Sequence, residues 1–113
     1  MIWKRIRDLL RFSAHAHLRE RRVANMADLV ALIDRFLDDN LSYELEWDDF
    51  ISWTNRNPNV EAIRDRIAAT EPLFFSKHPE DRKRAIDMLV EERNAAAALI
   101  GTPPRTFEFP GRP

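Results

Sequence analysis

The sequence predicts an all-α fold, a compact bundle of four to five helices with an extended Pro/Phe C-terminal tail. Three observations carry this expectation. Apolar residues recur at spacings of three and four along most of the chain, the repeat that lines one face of a helix. No long stretch alternates strictly between apolar and polar, as a half-buried strand would. Glycine, which weakens helix interiors, occurs only at Gly101 and Gly111. A chain of 113 residues fits one domain. The expected division is a helical bundle over 1–101 and a tail over 102–113.

An opening helix is expected from Ile2 to Arg22. Ile2, Ile6, Leu9 and Leu10 share a face, with Trp3 and Phe12 flanking it and Lys4, Arg5, Arg7 and Arg11 elsewhere around the cylinder. The next helix starts after Asn25, an N-cap residue with Asp28 three positions on. Its stripe is Met26, Leu29, Val30, Ile33, Phe36 and Leu37, and Asn40 is the expected left-handed stop. A third helix is capped by Ser42, and Glu44 and Glu46 fall in a first turn that favours anions. Tyr43, Trp47, Phe50 and Ile51 form its inner face, and Asp48 and Asp49 are expected to point away from it or to flank it.

Asn55 to Asn59 reads as a turn, with Pro58 opening a helix that carries Val60, Ile63 and Ile67 and ends before Pro72. Leu73-Phe74-Phe75 reads as an apolar plug under a loop. The last helix runs from near Pro79 to Ile100, with Gly101 as stop and Pro103-Pro104 beyond. Its stripe is Ile86, Leu89, Val90, Ala96 or Ala97, and Ile100, and the run Ala95 to Ala98 allows close approach of another helix. The tail alternates at Thr106-Phe107-Glu108-Phe109 and is expected to lie extended across a groove of its own domain, with disorder or docking on a partner as the alternatives.

The net charge of −1 conceals an asymmetry. Residues 1–22 carry +5, residues 23–57 carry −6, and the remainder balances. Either the basic and acidic segments pair in the fold, or one of them faces a charged partner. The acidic middle would repel an extended polyanion, which argues against nucleic acid. No apolar run approaches the roughly 20 residues that span a bilayer, which argues against integral membrane association. The chain has no cysteine, hence no thiol chemistry, and this fits a reducing cytoplasm.

Catalytic and metal signatures are weak. The rings of His15 and His17 diverge by about 200° on a helix, whereas a helical zinc pair needs a spacing of four. Asp34 and Asp38 share a face, but Arg35 adjoins them, and the Glu-x-x-His pairs of a di-iron bundle are missing from the sequence. No glycine-rich loop is present to cradle phosphate, and the serines lack an elbow motif. The expectation is therefore a protein that is not an enzyme and uses no cofactor or metal, acting by binding.

The candidate binding face is the block Glu44 to Trp53. Glu44, Glu46, Asp48 and Asp49 supply the field, Asp38 and Asp39 reinforce it, and Trp47 or Trp53 is the anchor, with Phe50 and at least one of the two tryptophans in the core. The expected partner is another protein with a basic face. Two alternatives stand beside this: a homodimer through the amphipathic opening helix, and a small enzyme with a carboxylate site.

The run Ile33-Asp34-Arg35-Phe36-Leu37, followed by Glu46-Trp47-Asp48-Asp49-Phe50-Ile51, resembles a group of small all-helical bacterial proteins. The similarity spans roughly residues 29–70, including Val60 to Arg64. Most members of that group have no assigned function, and some look like immunity proteins that lie beside polymorphic toxins. The resemblance implies a bacterial, non-catalytic chain. It implies nothing for the opening helix or the tail, which lie outside it.

Overall fold

A computed structural model describes residues 23–39 and 46–108, and all regular structure among them is helical. The helices are α1 (Met26–Leu37), α2 (Asp48–Ser52), α3 (Pro58–Ala68), α4 (Glu71–Phe74) and α5 (Pro79–Leu99). The all-α bundle that the sequence predicts is the fold. The expected opening helix over Ile2 to Arg22, the Ser42 cap and the Asn40 stop lie outside the described residues.

Helix α1 begins where Asn25, in extended conformation, accepts a hydrogen bond from the Asp28 amide at 2.9 Å. Asp28 returns the favour to the chain entering the helix, accepting from the Ala24 amide at 3.0 Å. The first bond satisfies a donor that the helix start leaves open, and the second fixes the chain just before the cap. Leu29, Val30, Leu32, Ile33 and Leu37 are buried along one face. The helix ends at Leu37, and Asp39 takes the left-handed conformation (φ 57°), one residue before the asparagine expected to do so. Aspartate tolerates that region because its short polar side chain bonds locally.

A wide π-type turn at Glu46–Trp47 leads into α2. Pro58 then opens α3, and Asn57 caps it by accepting from the Asn59 and Val60 amides at 3.0 and 3.3 Å. Val60, Ile63 and Ile67 are buried as the spacing requires. Leu73-Phe74-Phe75 departs from expectation. Residues 71–74 close one helical turn, with Pro72 in a position where its missing N–H costs nothing. Phe74 packs on the core and Phe75 is exposed.

Helix α5 is the spine of the bundle. It packs against α1, α3 and α4, and α3 also meets α1 and α2. Ala96 and Ala97 are fully buried and let another helix come close, while Leu89 and Ala85 fill the preceding turns. Ile100, expected in the stripe, is 41% exposed because it falls beyond the last helical turn as the C-cap. Gly101 follows with φ 73°, a backbone conformation that favours glycine, and the chain turns back there.

Candidate functional site

The site begins with how α1 and the following segment lie together. Arg35 Nη2 bonds Glu46 Oε2 at 3.1 Å, and the Phe36 and Trp47 rings meet at 4.1 Å between centroids. At the other end of α1, Asn55 Nδ2 donates to the Val23 carbonyl at 2.8 Å and Asn57 Nδ2 to the Ala24 carbonyl at 3.3 Å. Residues 46–57 therefore pass antiparallel to α1. Glu46 sits at the end that carries Asp38 and Asp39, and Trp53 sits at the end that carries Asn25. The 12 residues of α1 separate these ends by roughly 18 Å at the α-helical rise. Neighbours in the sequence block are not neighbours in one patch.

Packing divides the block further. Trp47 is 1% exposed, wedged between Phe36 and Phe50, with Phe74 edge-on to Phe36 at 5.7 Å. It is core, which corrects its candidacy as a surface anchor and bears out the expectation that Phe50 and one tryptophan are buried. Asp48, expected outside, is also 1% exposed, and the Ser52 hydroxyl donates to its Oδ1 at 3.4 Å. Residues 47, 48, 50 and 51 stand at spacings of one, three and four and together form the buried face of this short helix. Glu46 keeps only a tenth of its side chain in solvent, beside Arg35. Asp49 is half-buried, Asp39 is exposed, and Trp53 is 49% exposed. Glu44 lies outside the described residues.

The anions nearest the α1 terminus are engaged by arginines from far along the chain. Arg93 on α5, almost fully buried, forms a two-pronged pair with Asp34 at 2.9 and 3.1 Å. Arg105 in the tail reaches Asp34 with Nη1 and Asp38 with Nη2, both at 3.0 Å. The tail is held by its backbone as well. The Asn94 amide accepts from the Arg105 N–H at 3.0 Å and donates to the Arg105 carbonyl at 2.9 Å, and Arg93 Nη1 donates to the Pro103 carbonyl at 2.7 Å. Phe107 packs against the core edge. The expectation that the tail lies extended across its own domain therefore holds for residues 102–108. The charge of Arg93 alone points to solvent, yet the residue is buried. Its spacing from Leu89 and Ala97, four residues either way, places it on the buried stripe.

The electrostatics follow these contacts. Burial works to raise the Asp34 pKa, but the Arg93 and Arg105 guanidiniums together hold it below the usual carboxylate range. Arg105 is raised by Asp38 and Asp34 against the opposing effect of burial. A second paired group lies under α2. Arg64, 9% exposed, takes both Glu61 oxygens at 2.7 and 2.8 Å and donates to the Ile51 carbonyl at 2.6 Å. Glu61 also accepts from the Asn55 amide at 2.7 Å. Its pKa falls to about 2, chiefly through Arg64.

Among the described residues no group of three or more His, Cys, Asp or Glu side chains is placed to hold a metal ion, and no helix is long and apolar enough to cross a membrane. The His15-Ala16-His17 pair lies outside the described residues. Comparison with protein families, with curated proteins and with solved structures gives no match to this chain.

Proposed function

We propose that the protein is a non-catalytic module that binds a basic protein partner in the bacterial cytoplasm, of the immunity or antitoxin kind. The observation that carries this reading is Trp53, a large aromatic left half in solvent at the end of the short acidic helix α2. Tryptophan on a surface supplies anchor energy to an interface out of proportion to its area. Asp49 precedes Trp53 by four residues, and Asp39 adds exposed negative charge at the far end of α1, next to Asp38, which Arg105 pairs. Trp47 and Asp48 shape this surface from beneath and do not contact the partner. The absence of cysteine supports a reducing compartment.

The test is to isolate the partner by pull-down of the tagged chain from its own cells and to measure its association with the purified protein. The on-rate should fall steeply with rising salt, as for charge-steered encounters. Trp53→Ala should weaken the complex by at least about 2 kcal/mol, a hot-spot magnitude. An on-rate indifferent to salt, or an unchanged Kd in Trp53→Ala, overturns the reading.

A further inference from the structure

We propose that the strip where α1 meets α5, filled by residues 103–107, is an exchangeable site for an extended arginine-bearing segment of the partner protein, with the chain's own tail as resident competitor. This deepens the binding reading above by naming a second point of contact. The strip recognises its occupant mostly through main chain. Asn94 brackets the Arg105 peptide as an adjacent strand would, and Arg93 holds the Pro103 carbonyl. Side-chain identity enters at two positions. A guanidinium is taken by Asp34 and Asp38, and two residues on an aromatic meets the core edge. Positions 103, 105 and 107 are the alternating register of an extended peptide. The preceding proline lowers the ordering cost of any chain that carries it.

Two features make the occupant replaceable. Asp38 has 58% of its side chain in solvent and Arg105 has 25%, so exchange opens only the margin of the bundle. When Arg105 leaves, Asp34 keeps its two-pronged pair with Arg93, so the emptied strip retains a compensated charge. The turn at Gly101 is itself held to α5, with the Thr102 N–H donating to the Ala97 carbonyl at 2.9 Å, so exchange concerns only the chain beyond Thr102. A tethered tail competes at an effective concentration on the order of millimolar, so an incoming segment must exceed that.

The experiment uses the full chain and a labelled synthetic heptapeptide with the sequence of residues 102–108. Fluorescence anisotropy should show weak binding to the wild-type chain and binding at least about tenfold tighter to Arg105→Glu, whose own tail is repelled by Asp34 and Asp38. Replacing the arginine of the probe by alanine should remove most of that binding. Adding Asp38→Asn to the Arg105→Glu chain should weaken it several-fold. Far-UV circular dichroism checks that helicity survives, and Arg105→Ala serves as the opened chain if it does not. No probe binding to an opened chain of full helicity, or equal binding of the alanine probe, overturns the proposal and leaves the Trp53 test standing. A concentration-dependent dimer of the wild-type chain that is lost in Arg105→Glu would assign the strip to a second copy, and would also overturn it.

Discussion

Arg64 and Arg93 are nearly buried, and each is tolerated because every direction of its guanidinium meets an acceptor. Removing one member of such a set leaves the others buried without compensation, which costs more than the set contributed. Arg64→Met should destabilise the fold by about 2 kcal/mol, because the Ile51 carbonyl loses its side-chain donor and Glu61 keeps only the Asn55 amide. A lowered urea midpoint with an unchanged slope would show it. Glu61 also couples stability to pH. It titrates at about 2 in the folded protein against 4.5 ordinarily, so the unfolded chain binds its proton first as acid is added. Its contribution is complete above pH 4.5 and is lost as the pH falls toward about 2, and Asp34 acts in the same sense. The Tm of Glu61→Gln should therefore decline less than wild type between pH 5 and about 3. Parallel curves would contradict this assignment.

At the scale of elements, the sequence spoke most clearly where an end has its own chemistry. Asn25 with Asp28, Asn57 with Pro58, Pro79 and Gly101 each mark a boundary that holds to within a residue or two. Asn25→Ala should cost about 1 kcal/mol, read from the thermal midpoint. The close approach inferred from Ala95 to Ala98 is realised at Ala96 and Ala97, both fully buried. Ala97→Leu should accordingly cost about 1–3 kcal/mol by overpacking, measured by urea unfolding. Two elements were not legible. Four residues are too few to display a periodic stripe, so α4 looked like a loop. Which face of α2 is buried goes with the seat of Trp47 against Phe36, a contact between residues eleven apart that local propensity does not encode. The acidic block consequently looked like one face, whereas it is distributed between core and two ends of α1.

Across the whole molecule, the acidic middle of the chain is partly neutralised from within. Arg35, Arg93 and Arg105 serve it from three separate stretches of sequence. Charge totals by segment could not reveal this, because pairing follows the packing of α5 and the tail upon α1. The two described tryptophans show the same division of labour. Trp47→Ala should cost about 3–5 kcal/mol by opening a cavity in the core, whereas Trp53→Ala should change stability far less, and urea denaturation of both variants decides it. That contrast in burial gives the protein two built-in optical reporters. In a Trp3→Phe background, iodide should quench emission from Trp53 and spare Trp47. The exposed indole would then signal docking while the enclosed one signals melting, within one unlabelled sample.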